Sequence, residues 1–422
     1  MGVCAPLRGG LYTPAVSVEN YMSKKAYLVV VSGCAVLLIT MGVRQSFGLF
    51  LNPLTQDFQL DFSVFSLTLA IQNLLWGLSQ PYIGALADKY GSGRTIVLAG
   101  IANVLGMWWL ANATSVWEIH MSAGVIVGIA GSGATLAVIL GVIARNVPTE
   151  RRSLFLGIGS AVATMGQITI APVSQNLITD FGWATTVILL GITMGLIVPL
   201  AFALRGKASD LNASNAGAEK LMDALHQART HSGYICLTLG FYVCGFHVAF
   251  IMSHFPNYLT SLEMPDWLPG AAISVVGVTN LIGTFSFGWA GDKWSKKYLL
   301  SSIYFGRAIL FAAFILVPIS VTSVLIFSGI LGFLWLATVP LTSGLVGQFF
   351  GIRYLATLFG IVFASHQLGA FTSSWIGGIL FDQTGSYDSI WLVSIGLGIV
   401  AALLHLPIDE RPLLRRETRP TS

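Results

Sequence analysis

The sequence predicts an all-α membrane protein with twelve transmembrane helices, arranged as two pseudo-symmetric six-helix bundles. Three observations support this fold class: the composition, the spacing of apolar segments, and the distribution of positive charge. Of 422 residues, 55% are hydrophobic and 9% are charged, whereas about 25% are charged in an average soluble protein. The composition therefore places the chain in a membrane.

Apolar segments recur along the chain at lengths close to the roughly 20 residues that a helix needs to cross a bilayer. Short loops join most of them. The predicted spans are residues 26–52, 64–87, 95–113, 118–144, 153–178, 183–204, 232–259, 269–290, 298–318, 321–347, 354–380 and 389–407.

Most of the positive charge lies in the tails and in every second loop. Twenty of the 22 Lys and Arg residues lie there, namely Arg8, Lys24, Lys25, Lys89, Arg94, Arg145, Arg151, Arg152, Arg205, Lys207, Lys220, Arg229, Lys293, Lys296, Lys297, Arg353, Arg411, Arg415, Arg416 and Arg419. The loops between carry Asp57, Asp61, Asp180, Glu263, Asp266, Asp382 and Asp388. Because basic loops stay in the cytoplasm, both termini are predicted to be cytoplasmic in a multi-pass protein of the cell (inner) membrane.

One long polar connection divides the chain into halves. The predicted organisation is a cytoplasmic tail at 1–25, a six-helix bundle at 26–205, a linker at 206–231, a second bundle at 232–408 and a cytoplasmic tail at 409–422. Met22-Ser-Lys-Lys resembles a natural start. Residues 1–21 are therefore expected to be a disordered extension or an upstream start.

The two halves share landmarks at a nearly constant offset. Gly84-Ala-Leu-Ala-Asp88-Lys89 after span 2 matches Gly288-Trp-Ala-Gly-Asp292-Lys293 after span 8, and Gly157 and Gly166 in span 5 match Gly360 and Gly369 in span 11. Each match is weak alone. Together they indicate two parallel bundles related by an axis along the membrane normal.

This architecture resembles the major facilitator superfamily over essentially the whole chain. The specific mark is Gly84-x-x-x-Asp88-Lys89-x-Gly91-x-x-Arg94, which is similar to that family's signature between helices 2 and 3. Ser92-Gly93 stands where a basic pair is usual. The resemblance implies the major facilitator fold and a conformational latch at the cytoplasmic face, formed by Gly84, Asp88, Lys89, Arg94, Asp292 and Lys293.

Within the superfamily, the chain resembles bacterial relatives of the monocarboxylate porter and oxalate–formate exchanger group. The residues that carry this resemblance are Gly42-Val-Arg44-Gln-Ser-Phe47-Gly48 with Pro53, Arg353-Tyr-Leu-Ala-Thr-Leu-Phe-Gly360, and Ser365-His366-Gln367. Animal monocarboxylate porters carry an Asp and an Arg on helix 8 that align with Asn280 and Thr284, so that charge pair is missing here. Oxalate exchangers carry a Lys near the position of His366.

Two cations, Arg44 and Arg307, lie inside apolar spans. A charge in hydrocarbon is costly and usually functional. Arg44 is predicted to bind an anionic substrate group through charge-assisted hydrogen bonds; the alternative is that it snorkels to the interface. For Arg307 the two possibilities are substrate contact and packing against backbone carbonyls.

Three histidines are the titratable side chains well inside the spans, since no Asp or Glu lies mid-span. His247 and His254 are seven residues apart and share one helix face, and His366 lies in span 11. A proton carrier must titrate, and imidazole does so near neutral pH. We predict substrate-binding or proton-coupling roles for His366 and His247, with hydrogen-bonded packing as the alternative.

Asn73 and Asn280 are polar groups in hydrocarbon, and each needs a partner. Both are candidate substrate-binding residues, with helix–helix hydrogen bonding as the alternative. No nucleophile–base set, metal-ligand cluster or phosphate loop occurs at plausible spacing. The chain is therefore not expected to be an enzyme or to need a metal or cofactor, and its dispersed basic residues face lipid rather than nucleic acid.

The favoured function is a secondary active transporter that moves a small, monocarboxylate-like organic anion by alternating access, through proton symport or exchange. Moving one anion inward against ~100 mV costs about 2.3 kcal/mol, which a cotransported proton removes. The expected partners are the solute, a proton or counter-anion and the lipid bilayer, and we expect a monomer. The alternatives are uptake of a larger aromatic or vitamin-like solute such as riboflavin, drug efflux, and a sensor built on a transporter fold.

Overall fold

The computed structural model describes residues 23–148, 151–205, 222, 225–351 and 355–411. The hypothesis about residues 1–21, the predicted terminal tails except residues 23–25 and 409–411, most of the predicted linker, and Arg353 lie outside the described residues. The side chain of Asp88 is also undescribed.

Twelve helical segments long enough to cross a membrane make up most of the described chain, and no strand occurs in it. They are α1 Lys24–Phe58, α2 Phe62–Tyr90, α3 Ser92–Ala111, α4 Val116–Asn146, α5 Arg152–Phe181, α6 Trp183–Leu200, α7 Ser232–Ser261, α8 Leu268–Lys293, α9 Lys296–Leu316, α10 Val321–Phe350, α11 Leu355–Thr384 and α12 Asp388–His405. Eleven of these regions are apolar enough to be candidate membrane spans. The twelfth, α11, has 30 residues, which gives a length of about 45 Å at 1.5 Å per residue. The predicted fold class is confirmed.

The predicted boundaries differ most at the end of α1. A 3₁₀ turn at Phe47–Phe50 leads into a short helix at Leu51–Phe58, so the segment is longer than the predicted span. Pro53 lies in the first turn of that short helix, where the missing N–H has no intrahelical partner to lose. The left-handed conformation of Gln59 (φ 52°) ends it.

The same helix pairs pack together in both halves. In the first half α1 packs on α5, α2 on α4, and α3 on α6; in the second half α7 packs on α11, α8 on α10, and α9 on α12. Each half has its own core of buried aliphatic and aromatic side chains. The sequence repeat therefore corresponds to a repeat in packing, as two pseudo-symmetric bundles require.

The bundles meet at one end of the molecule, which we call the acidic end because Asp57, Asp61, Asp382 and Asp388 lie there; the opposite, basic end carries Lys24, Lys89, Lys293 and Lys296. At the acidic end α1 meets α7, α2 meets α11, and α5 meets α8. A Cβ placed on Gly48 would overlap the carbonyl of Met252, and one placed on Gly378 would lie 2.6 Å from Ser66 Oγ. Glycine alone allows these approaches.

Three glycines nearer the basic end have no close neighbour. A Cβ placed on Gly84 of α2, Gly157 of α5 or Gly360 of α11 would meet no other atom within 4 Å. Within the described residues, the close backbone approaches between the bundles at Gly48 and Gly378 therefore lie toward the acidic end, and these three positions make none.

Two helices are interrupted at matching positions of the repeat. In α4, a π-helical turn at His120–Ile126 and a 3₁₀ turn at Ser132–Ala134 precede the last helical segment. In α10, residues 334–337 are not α-helical. Freed backbone groups in membrane-spanning helices need polar partners, and the side chains that supply them in the second half are described below.

Candidate functional site

Arg44 lies near the middle of α1 and turns inward toward α2. Its Nη2 donates a hydrogen bond to Asn73 Oδ1 at 2.5 Å, and its Cζ lies 3.8 Å from the centroid of the Trp76 ring. No carboxylate of the described residues forms an ion pair with Arg44. The guanidinium is therefore oriented by an amide and an aromatic face, and most of its donors remain available.

A small cavity lies on the inner side of Arg44, within the first bundle. Its volume is about 30 Å³, and its lining includes Thr40, Gln72, Trp76, Asn103 and Gly131. Trp76 Nε1 is buried without a hydrogen-bond partner in the described chain. This volume has room for about one or two water molecules, which could satisfy that N–H, but an organic acid would not fit.

Asn73 connects Arg44 to the second bundle. Its side-chain oxygen accepts from Arg44, while its backbone carbonyl accepts from Gln367 Nε2 of α11 at 3.0 Å. Gln367 Oε1 in turn lies 3.0 Å from His366 Nδ1. A continuous hydrogen-bonded series thus joins Arg44, Asn73, Gln367 and His366 across the bundle interface.

Aromatic rings lie along the same interface. Trp76 meets Phe363 of α11 edge to face, with centroids 5.6 Å apart. Phe363 stacks on His366 with centroids 5.5 Å apart, and the ring of Phe241 is tilted against the imidazole with centroids 5.0 Å apart. Arg44, Trp76, Phe363 and His366 therefore form a row that combines a cation, flat apolar surfaces and a titratable ring.

Arg307 lies in a different environment, inside the second bundle, with no exposed surface. Its guanidinium donates to the carbonyl of Leu334, by Nη2 at 2.6 Å, and to that of Trp335. Its Nη1 lies 3.7 Å from Cys244 Sγ. These carbonyls belong to the interruption of α10. Because the regular backbone hydrogen bonds are missing there, Arg307 supplies the donors that the carbonyls need. This geometry matches the carbonyl-packing alternative for Arg307.

Asn280 serves the same interruption from α8. Its Oδ1 accepts hydrogen bonds from the backbone N–H of Leu336 and from Thr284 Oγ1, both at 3.1 Å. Asn280 thus bonds to a backbone N–H of the interruption, and Arg307 bonds to its carbonyl groups. The position that aligns with the charged pair of animal porters is thus occupied here by a neutral helix–helix contact.

His247 and His254 point into the second bundle, away from Arg44. His247 Nε2 lies 2.9 Å from the carbonyl oxygen of Ser394 in α12. His254 Nε2 lies 2.7 Å from that of Ser374, and its Nδ1 lies 3.3 Å from Tyr387 Oη. Both rings are fully buried. The structure therefore connects His366 to Arg44 through Gln367 and Asn73, and it shows no such connection for the two histidines of α7.

The predicted latch residues do not bridge the bundles in this conformation. Lys89 lies over the ring of its neighbour Tyr90 at 5.2 Å, and Lys293 over Trp289 at 4.0 Å. Arg94 and Asp292 are exposed, and no ion pair joins these residues within the described chain.

Membrane-length helices in two repeated bundles, with an inward-turned cation that has no carboxylate partner in the described chain, indicate a membrane transporter. The sequence profile of the Major Facilitator Superfamily matches residues 33–349 and 270–421. The chain belongs to this superfamily of transporters, and it is not an enzyme.

The chain is similar to other members of the superfamily over most of its length. The MFS-type transporter YcxA of Bacillus subtilis is 24% identical over 375 residues, covering 86% of this chain and 90% of the relative. Monocarboxylate transporter 13 of Rattus norvegicus is 23% identical over 391 residues, covering 90% and 89%.

Solved transporters share the fold. The nucleoside transporter NupG superposes with a TM-score of 0.75 at 12% identity, covering 90% of this chain and 99% of the other. A D-xylose–proton symporter gives a TM-score of 0.71 at 14% identity, covering 92% and 99%. At these identities the likeness shows the fold alone.

Sequence reasoning found Arg44, Asn73 and His366 but not what connects them. Gln367 and Trp76 are visible in the sequence only as a polar and an aromatic residue inside apolar spans. An amide directly beside a histidine in an apolar helix is the signal that points to Gln367. Nothing in the sequence places Phe363 between Trp76 and His366, because that contact depends on how α2 crosses α11.

Proposed function

We propose that the protein transports a small, monocarboxylate-like organic anion by alternating access and that Arg44 binds the anionic group. The observation that carries this proposal is the inward-facing guanidinium of Arg44, which has no carboxylate partner among the described residues. The monocarboxylate transporters among its relatives support the substrate class. The solute lies between the bundles, since the cavity behind Arg44 is too small for it.

The positive charge at the basic end supports an orientation with that end in the cytoplasm. The close backbone approaches at the acidic end then support an inward-open conformation, and both described ends of the chain, Lys24 and Arg411, lie on the cytoplasmic side. The transporter works as a monomer in the cell membrane. The predicted latch residues Lys89, Arg94, Asp292 and Lys293 would meet in the opposite state, where the basic end closes.

His366 is the proposed proton-coupling residue. It is 7% exposed, contacts Phe241 and Phe363 of the second bundle, and is linked to Arg44 through Gln367 and Asn73. A proton carried with the anion removes the electrical cost of inward movement. Exchange for another anion is the alternative.

The substrate-binding set is accordingly Arg44, Asn73 and His366. For Arg307 and Asn280 we propose a structural role at the break in α10, and for His247 a role in packing α7 against α12. Their hydrogen bonds to backbone groups support this assignment.

One observation favours a second candidate, an anion with an aromatic body. Trp76 and Phe363 offer flat surfaces within reach of Arg44, and aromatic pairs gain about 0.5–1.5 kcal/mol beyond area burial. Thermal protection by aromatic acids or flavins, with no protection by lactate-like acids, would favour this candidate.

The experiment that tests the anion site compares Arg44→Gln with wild type in proteoliposomes. Hydrogen bonds to charged groups contribute about 1.5–3 kcal/mol, so roughly a tenfold to hundredfold loss of apparent affinity is expected. Arg205→Gln, which removes an exposed cation at the basic end, is the matched control. Unchanged uptake in Arg44→Gln would defeat the anion-site proposal.

A further inference from the structure

We propose that Gln367 couples the protonation state of His366 to closure of the acidic end, as a positioning residue between the proton site and the bundle interface. The inference rests on the proposed function in giving His366 the coupling role. It goes further in naming the side chain that transmits the change and the backbone group that receives it.

The side chain of Gln367 packs against α2 so closely that the facing residue of α2 must be a glycine. The Gln367 side chain is 1% exposed and extends from α11 to the backbone of α2. A Cβ placed on Gly77 would overlap the Gln367 side chain. The amide is therefore enclosed by α2, and its hydrogen bonds must be made with the groups that face it.

The orientation of the amide follows from its partners. The backbone carbonyl of Asn73 can only accept a hydrogen bond, so the NH₂ group of Gln367 must face it. Gln367 Oε1 then faces His366 Nδ1, and an oxygen can only accept. A hydrogen bond at both ends of the amide therefore requires a proton on His366 Nδ1.

Protonation of His366 guarantees that proton. The imidazolium carries N–H groups at both ring nitrogens, whereas a neutral ring carries one at Nδ1 or Nε2. With the proton at Nε2, the lone pair of Nδ1 faces Gln367 Oε1. Turning the amide over relieves this repulsion but places its oxygen against the carbonyl of Asn73. The interface bond is thus favoured by the charged ring and weakened in one neutral tautomer.

The other charged and titratable groups near His366 are few. On α7, Cys244 interacts with the imidazole, and behind it Arg307 of α9 contacts the same sulfur. Across the interface, Arg44 of α1 is connected through Asn73. No carboxylate of the described residues forms an ion pair with His366. Gln367 Oε1 and Cys244 Sγ are therefore the polar side-chain groups beside the imidazole in the described chain, and of these two Gln367 also bonds to the first bundle.

The expected effect of His366 protonation on closure of the acidic end has the direction that inward transport requires. A loaded carrier must close the acidic end after the proton and anion bind, and the protonated ring favours that closure. After release at the basic end, a neutral ring with its proton on Nε2 weakens the bond to Asn73, so that the empty carrier can reopen. Since a typical hydrogen bond corresponds to roughly two- to tenfold in an equilibrium constant, the bias is moderate, as rapid cycling requires.

The test uses a reporter cysteine at Ser66, which is buried between α2 and α11 beside Gly378. The rate at which a polar maleimide labels Ser66→Cys measures opening of the acidic end in purified protein, above the background from native cysteines. Labelling is measured between pH 5.5 and pH 8 without substrate. We expect slower labelling at low pH, by roughly two- to tenfold, when the rates are corrected for thiolate formation with a fully exposed cysteine.

Gln367→Leu should label faster than wild type and lose the corrected pH dependence. The chain offers a matched control in Gln167 of α5, whose Nε2 donates to the carbonyl of Ile273 in α8 at 3.0 Å while its Oε1 accepts from Gln45 at 3.3 Å. That amide also joins the bundles, but its second partner does not titrate. Gln167→Leu should speed labelling equally at every pH and keep the pH dependence.

A pH dependence that survives in Gln367→Leu, or one that is absent from wild type, overturns the inference. Retained counterflow in both variants shows that they fold. Because the labelling assay needs no substrate, failure of Arg44→Gln to affect transport would defeat the anion site and leave the Gln367 result to be judged by itself.

Discussion

The carboxylate of Asp382, at the end of α11, accepts hydrogen bonds from the backbone N–H groups of Phe62 and Ser63, both at 2.8 Å. Phe62 and Ser63 are the first residues of α2, so a side chain of one bundle caps a helix of the other. Asp61, the residue in the N-cap position, makes no capping bond itself. An anion at a helix N-terminus is stabilised by both the free N–H groups and the helix dipole.

Asp382→Asn should shift the protein toward opening at the acidic end. The amide can present one oxygen to two N–H groups and has no charge. The closed conformation should therefore lose about 1 kcal/mol of stability relative to the open one. Roughly fivefold faster labelling of Ser66→Cys is the expected result. Asp388→Asn, on the same end, is the control. Equal labelling of Asp382→Asn and wild type would show that the cap does not hold the interface.

Gly378→Ala should hinder closure of the acidic end. The new methyl group would lie 2.6 Å from Ser66 Oγ and 2.7 Å from Ser63 Cα, distances that real Cβ contacts do not reach. Overpacking of this kind destabilises a structure by about 1–3 kcal/mol. Here it destabilises only the conformation in which the acidic end is closed. Gly360→Ala on the same helix meets nothing within 4 Å and should transport normally. Net uptake by the two variants is the measurement, and equal rates would contradict the assignment.

Arg307→Met should destabilise the protein without changing substrate affinity. The change leaves the carbonyls of Leu334 and Trp335 without their guanidinium donor, and buried unsatisfied groups cost about 1–3 kcal/mol each. A lower melting temperature in detergent is expected, with the apparent KM of surviving carriers unchanged. A raised KM at normal stability would restore the substrate-contact hypothesis for Arg307.

In Arg44→Lys, we expect the lysine not to bind the anionic substrate as well as the arginine does. The ammonium group lacks the planar surface that stacks on Trp76 and the paired donors that grip a carboxylate. Since Asn73 also loses its guanidinium partner, the apparent KM should rise about tenfold or more, measured by concentration-dependent uptake. Wild-type affinity in Arg44→Lys would mean that charge alone is recognised.

His366→Ala should flatten the pH dependence of transport. The protonated ring favours closure of the acidic end, so net uptake by wild type should be faster at pH 5.5 than at pH 8. The variant cannot titrate at this position and has no donor for Gln367 Oε1. Initial rates across this pH range are the measurement, and His254→Ala, which removes a buried ring that contacts Ser374 and Tyr387, is the control. An unchanged pH profile in His366→Ala would remove it from proton coupling.

The sequence was sufficient for the fold and for the polar residues that matter, but not for their geometry. Apolar length and loop charge depend on local composition, so the spans were predictable to within a few residues except at the end of α1. Whether a polar residue faces the interface or its own bundle depends on helix rotation, which sequence spacing leaves open. His247 and His366 looked alike in sequence, yet one contacts Ser394 and the other Gln367.

The interruptions of α4 and α10 occupy equivalent places, but they are supported differently. Arg307 fills the space beside the break in α10, while 204 residues earlier Asn103 occupies the corresponding site and leaves a cavity of about 30 Å³ next to α4. A helix interruption that is closely packed resists deformation, whereas one beside a cavity deforms more easily. We therefore expect the first bundle to deform more easily than the second at this place in the repeat.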